Sequence, residues 1–311
     1  SIVAGSGVGG FDGGSPLFHR LELLESRGSR IRNPAMRIDA HLHLDLYGAE
    51  VAGALVEIVE HRIFSVSVAL DPATYETTKR LAADCPFVLP AFGIHPELAP
   101  KHLEGLDQLA PLVSETPLIG EIGLDHHYVK DAEAYPAQMR VLEFFLDAAR
   151  DQDKVVNLHT KGAEHESALA LRRFETRRAI VHWYSGPMDA FRELADLGAY
   201  FTVGVAVLRS NAIREIARAI PPDRLLTETD NPVAYSRRAG EPDRPSLLLE
   251  VLAELGRLLG TSAASDNGNH FLNRLQTAAS PISKAAPQTH TRSRRACCSS
   301  TASTPAMRRA G

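Results

Sequence analysis

Residues 37–47 read RIDAHLHLDLY, and both the fold and the chemistry start from this stretch. From Arg37 to Leu44 apolar residues alternate with others at a period of two, the mark of a β-strand that presents opposite faces in turn. His41 and His43 therefore project together, with Leu42 turned away. An imidazole is costly to bury unless its ring nitrogens find partners. A lone histidine on an apolar strand is more often a satisfied core residue than a ligand. Two on one face, followed by Asp45, bring metal binding forward as a joint explanation.

Seven more short apolar runs follow: FSVSVAL, FVLPAFGIH, PLIGEIGL, KVVNLHT, AIVHWY, AYFTVGV and RLLTETD. Longer amphipathic segments separate them, among them AEVAGALVEIVEH, ATYETTKRLAADC, AYPAQMRVLEFFLDAARDQ, MDAFRELADLG and NAIREIARAI. Strands alternating with helical patterns indicate βαβ units and a parallel sheet. Eight such strands match the usual size of an α/β chain folded as a (β/α)8 TIM barrel, roughly 250 residues in a single domain. A doubly wound open sheet is the alternative, but no glycine-rich phosphate loop or dinucleotide fingerprint supports it.

The flanks differ in composition. Residues 1–35 are rich in Gly and Ser and are expected to be a poorly ordered extension, with the barrel spanning 36–275. Residues 276–311 have no acidic residue and six basic ones, Lys284, Arg292, Arg294, Arg295, Arg308 and Arg309. This low-complexity tail is expected to be disordered. Against a whole-chain charge of −4, it leaves the folded part more acidic than the total suggests. A protein wrapped in nucleic acid is not expected from that balance. No apolar run is long enough to cross a bilayer, and the N-terminus does not read as a secretory signal. The three cysteines, Cys85, Cys297 and Cys298, suit neither a disulfide framework nor a zinc ribbon, so a cytoplasmic setting is expected.

The polar residues at the ends of these runs carry the functional signal. Glu121 interrupts the apolar PLIGEIGL. His159 ends one run, His182 another, and Glu228 and Asp230 end the last. In a barrel of this kind the C-terminal strand ends carry the chemistry. Four histidines and at least two carboxylates from five strands thus converge on one rim. Imidazole and carboxylate without thiolate suit Zn, Mn, Fe, Co or Ni, and Mg where oxygen dominates. Six donors exceed what one tetrahedral ion with an open position needs. Two divalent metal ions bridged by a carboxylate fit better, and such pairs promote hydrolysis. Glu121, alone in its strand, is the expected bridge, and Asp230 the expected group to hold and deprotonate a water.

Six motifs, taken in order, resemble the TatD family of metal-dependent hydrolases, a branch of the amidohydrolase-like barrels. They are DAHLHLD, FGIHPE (Phe92–Glu97), GEIGLD (Gly120–Asp125), NLHTK (Asn157–Lys161), VHWYSG (Val181–Gly186) and LLTETDNP (Leu225–Pro232). NHFLNRL (Asn269–Leu275) is similar to the family's closing helix. The resemblance implies that His41, His43, Glu121 and Asp230 hold one ion and that Glu121, His159 and His182 hold a second. It places His95 beside the scissile phosphate, able to contact it or to protonate the leaving oxygen. Glu228 is implied to orient a ligand or water, and Ser185 and Gly186 to face a phosphate. Trp183 and Tyr184 could stack on a base or pack the wall, with packing favoured for Trp183. One departure concerns substrate. The family's x-Arg-Asp after the fifth-strand histidine is here Thr160-Lys161-Gly162, and Lys161 offers a phosphate a point charge rather than a bidentate fork.

The function the resemblance implies is a deoxyribonuclease that contacts DNA locally at the metal site. The alternative is a metal-dependent amidohydrolase acting on a C–N bond. Many relatives on this barrel bridge their metals with a carboxylated lysine, and Glu121 in that place argues mildly against it. A metal scaffold without activity is a third reading that the full ligand set disfavours.

Overall fold

The computed structural model describes residues 36–232 and 243–260. The extension 1–35, the closing helix expected at Asn269–Leu275 and the tail 276–311 lie outside the described residues. Eight strands run in chain order: β1 (Arg37–Leu42), β2 (Ile63–Val68), β3 (Val88–Ala91), β4 (Ile119–Gly123), β5 (Val156–His159), β6 (Ala179–Val181), β7 (Tyr200–Val203) and β8 (Leu225–Thr227). All eight expected strands are present. Their pairing is parallel throughout, in the orders β1-β2-β3 and β4-β5-β6-β7-β8. Every residue of β2 to β8 is buried, as expected for parallel strands covered on both faces.

Regular ladder pairing stops at two seams. Between β3 and β4 a single bridge, Phe92 with Ile119, joins the two sets. Between β8 and β1 the contact falls just beyond the strands. The amide of Asp230 donates to the carbonyl of His41 at 2.9 Å, and that of His43 to the carbonyl of Asn231 at 2.8 Å. The Asp39 carboxylate, fully buried, adds bonds from the amide of Thr229 at 3.0 Å and its hydroxyl at 2.6 Å.

Helices fill the crossovers: α1 (Val51–Glu60), α2 (Pro72–Leu81), α3 (Ala99–His102), α4 (Ala110–Glu115), α5 (Tyr135–Gln152), α6 (Glu164–Arg173), α7 (Met188–Asp196), α8 (Asn211–Ala219) and α9 (Leu247–Leu259). Their ends follow local chemistry. Asp71 and Thr74 close a capping box ahead of Pro72 at the start of α2. In α5, Ala137, Val141, Leu142, Phe145, Leu146 and Ala149 recur at helical spacing and are buried, and the helix ends at Asp153 in the left-handed region. The amphipathic segments quoted from the sequence fall on α1, α2, α5, α7 and α8.

The strand faces divide by polarity. Ile38, Ala40 and Leu42 of β1 join one apolar cluster with Ile58, Phe64, Val66 and Leu89. The alternate positions Asp39 and His41, with Ser65, Ser67, Asn157 and Thr227, are polar and equally buried. The chain therefore keeps a polar face inside a sheet whose other face packs against apolar side chains. Among the described residues no helix is long and apolar enough to cross a membrane.

Candidate metal centre

β1 stops at Leu42, and His43 caps a short 3-10 helix, Leu44–Glu50. The two imidazoles still meet, with Nε2 atoms 3.4 Å apart. Glu121 lies mid-strand in β4, His159 at the last position of β5, and His182 one residue beyond β6. Asp230 stands three residues past β8 with φ of 55°, held by its amide bond to His41. The structure brings all six together.

Glu121 is the hub. Its Oε2 is 3.6 Å from His41 Nε2 and 3.7 Å from His43 Nε2, while its Oε1 is 2.8 Å from both His159 Nδ1 and His182 Nε2. One oxygen thus faces each imidazole pair. Asp230 Oδ1 closes the first group, 3.6 Å from His41 Nε2 and 3.4 Å from His43 Nε2. Its side chain is 20% exposed, against 3% for Glu121, so Asp230 is the more accessible of the two to water.

Three of the four rings hydrogen-bond through their second nitrogen, and the fourth, His182, faces a carboxylate. His41 Nδ1 lies 2.9 Å from Asn157 Oδ1, and His43 Nδ1 3.2 Å from the Val68 carbonyl. His159 Nε2 is 2.9 Å from Asp125 Oδ2, and His182 Nδ1 is 3.7 Å from Glu228 Oε2. Asp125 also takes the amides of His127 at 2.9 Å and Tyr128 at 2.6 Å on its other oxygen. Glu228 accepts the amide of Trp183, which adopts φ of 42°. Asp125 and Asn157 lie within motifs read from the sequence, yet nothing local assigned them a role.

The electrostatics follow from this density. Burial alone would raise Glu121, but the charges of His182, His95 and His41 and the bond from His159 hold it well below the carboxylate range. Burial disfavours the His182 cation, yet Glu121 and then Glu228 push its pKa up to about 10. His43 and His159 are raised against burial, His43 chiefly by Asp230 and His159 by Asp125 and Glu121. Asp230 is lowered against burial by the bond to His43 and the nearby imidazole charges. The cluster is built to hold positive charge.

Divalent cations fit these donors. Tetrahedral ligands about 2.1 Å from one ion lie about 3.4 Å from each other, close to the spacing of His41, His43, Glu121 and Asp230. His182 Nδ1 and Glu228 Oε2 are buried 3.7 Å apart, each without a hydrogen-bond partner, behind the face that His182 Nε2 turns to Glu121. Three groups have ligand atoms close enough to share a cation: His41, His43 and Glu121; His95, Glu121 and His159; and His41, His182 and Glu228.

His95 sits at the start of the loop after β3. Its Nδ1 accepts the amide of Glu97 at 3.3 Å, which leaves the proton on Nε2, 3.8 Å from Glu121 Oε1. Burial, with the neighbouring imidazole charges and against Glu121, lowers its pKa to about 4. His95 is therefore a neutral N–H donor near neutral pH. Lys161 Nζ donates to the Trp183 carbonyl and to Ser185 Oγ, both at 2.7 Å, so the two expected phosphate contacts meet each other. Trp183 is half-buried. Tyr184, which could have stacked on a base, is 3% exposed and donates to the Pro187 carbonyl, so its role is packing.

A family profile described as "TatD related DNase" matches residues 38–269. The chain belongs to the TatD family. It is a metal-dependent hydrolase of that family, with a TIM-barrel-like α/β fold. It is 27% identical over 238 residues to the uncharacterized metal-dependent hydrolase YcfH of Escherichia coli K12, covering 72% of this chain and 89% of that one. Mouse TATDN3, named a putative deoxyribonuclease, is 25% identical over 237 residues, covering 70% and 81%. Among solved structures, the TatD homologue YjjV of Escherichia coli K12 matches with a TM-score of 0.68 and 26% identity, over 78% of this chain and 96% of that one. A TatD hydrolase of Entamoeba histolytica shares the fold, with a TM-score of 0.64 at 15% identity, over 79% and 97%.

Proposed function

We propose that this TatD hydrolase is a deoxyribonuclease that cleaves phosphodiester bonds with an activated water and two divalent ions. His41, His43, Glu121 and Asp230 would hold one ion, and Glu121, His159 and His182 the other. The observation that carries the reading is the split of Glu121, one oxygen toward each imidazole pair. Divalent cations held in such a pair supply charge stabilisation for a phosphoryl oxygen and a nucleophilic water near neutral pH.

The chain's own residues would do the rest. Asp230, accessible and held below the carboxylate range, is ionised and placed to take a proton from the attacking water. His95 offers Nε2–H to a phosphoryl or leaving oxygen; as a neutral imidazole it donates a hydrogen bond rather than a charge. Lys161, tied to Ser185, places a cation at the rim beside the turn after β6. Local contact of this kind lets an acidic protein engage DNA without a broad basic face, and association is then weak and salt-sensitive. The name carried by mouse TATDN3 supports the nuclease reading.

The test is a metal-titrated assay on single- and double-stranded DNA, run with elemental analysis and with a cyclic amide beside it. Metal-dependent release of nucleotides is the expected result. Turnover of the amide with DNA left intact would transfer the site to C–N bond hydrolysis.

A further inference from the structure

We infer that Asn157, which takes no part in the ligand sets above, sets the tautomer of His41 and thereby the affinity of the first ion site. The inference rests on the two-ion reading. Asn157 lies in β5, two residues before His159 and on the same face, with no exposed surface. Its amide crosses to β1. Nδ2 donates to the Ala40 carbonyl at 2.8 Å, and Oδ1 lies 2.9 Å from His41 Nδ1.

The chemistry of the partners fixes which end of the amide is which. A backbone carbonyl can only accept, so the group facing Ala40 must be the NH₂. The group facing His41 is then the oxygen, which also can only accept. His41 Nδ1 must therefore carry the proton in the neutral ring. The lone pair is left on Nε2, the atom that faces Glu121 Oε2, Asp230 Oδ1 and His43 Nε2. Without Asn157, the acceptors beside Nε2, Glu121 Oε2 and Asp230 Oδ1, would favour the opposite neutral tautomer, which turns an N–H toward the ion. Space for the amide is provided by β4: a Cβ on Gly120 would lie 2.6 Å from Asn157 Cβ. One strand thus serves both ions, by a ligand for the second through His159 and by a positioning residue for the first through Asn157.

The experiment measures Mn²⁺ and Zn²⁺ binding to the full chain by calorimetry, together with ¹⁵N NMR of the imidazoles. Wild type is expected to bind two ions, with His41 in the Nδ1–H form. N157A is expected to weaken one ion by about 10- to 100-fold while leaving the other near its original affinity. N157D keeps an acceptor opposite His41 but loses the donor to the Ala40 carbonyl, so it is read by NMR, where His41 is expected to stay in the Nδ1–H form. An Nδ1–H form of His41 retained in N157A would mark a structural tie and overturn the inference, as would two unchanged affinities in N157A. An Nε2–H signal for His41 in wild type, read with or without metal above the imidazole titration, would also overturn it. Wild type that binds no second ion would instead defeat the two-ion reading, and the NMR measurement would still decide the tautomer.

Discussion

The two imidazole pairs that flank Glu121 are built differently. His41 and His43 come from one short stretch, and their outer nitrogens meet uncharged partners, the Asn157 amide and the Val68 carbonyl. His159 and His182 come from separate strands, and carboxylates back both, Asp125 at 2.9 Å and Glu228 at 3.7 Å. A carboxylate behind an imidazole makes it more basic. The second pair should therefore grip a cation more firmly and also hold protons more firmly. The negative charge beside the first pair comes from Glu121 and Asp230, whose oxygens face the two Nε2 atoms directly.

The largest expected effect removes what the pairs share. Glu121→Ala should abolish hydrolysis and weaken both ions, measured as turnover and metal content; unchanged turnover would reject the bridge. Asp230→Asn touches only the first group. It should keep the fold and cut kcat by about 10²–10⁴-fold, the range for a lost general base. Asp125→Asn reaches only the second pair, through His159, and should lower one metal affinity by about 10- to 100-fold. If calorimetry found the first ion weakened instead, the division into two groups would fall.

Proton competition gives a subtler contrast. In metal-free protein His182 is raised from 6.5 to about 10. The stability its proton contributes is complete below 6.5 and is lost as pH rises through about 10. Lys154 runs the other way, since burial lowers it to about 8 and its penalty eases as pH rises above that value. Chelated wild type should therefore lose thermal stability relative to chelated His182→Asn across this window. Metal-loaded wild type should not, because the ion has already displaced the proton. The smallest effect belongs far from both pairs. Lys79→Ala breaks partly exposed ion pairs with Glu76 and Glu115 and should cost less than about 1 kcal/mol in denaturant unfolding, with activity unchanged.

The same contrast explains what could be read from the sequence. The period-two run around His41 and His43 exposed that pair directly. The alternation of apolar runs located all eight strands, the break in PLIGEIGL singled out Glu121, and the ends of the runs singled out His159, His182 and Asp230. What stayed hidden acts through space. Asn157 answers His41 across 116 positions of chain, and no local pattern tells which ring nitrogen an amide on another strand will meet. Asp125 looked like the end of a motif, because its bond to His159 and its grip on the 127–129 loop appear only once β4 and β5 lie side by side. The alternation also runs to Leu44, whereas β1 ends at Leu42 and the chain turns at His43, whose amide meets the carbonyl of Asn231.

That turn has a consequence for how the protein comes into being. The bonds that draw the last strand to the first, from Asp230 to His41, from His43 to Asn231 and from Thr229 to Asp39, also bring the Asp230 carboxylate to the two histidines of the first strand. Roughly 190 residues separate their ends, a span whose closure carries an entropic cost and slows folding. If the proposed ion site is right, the nascent chain would present only part of it until Asp230 has left the ribosome, and docking of the last strand on the first would complete it.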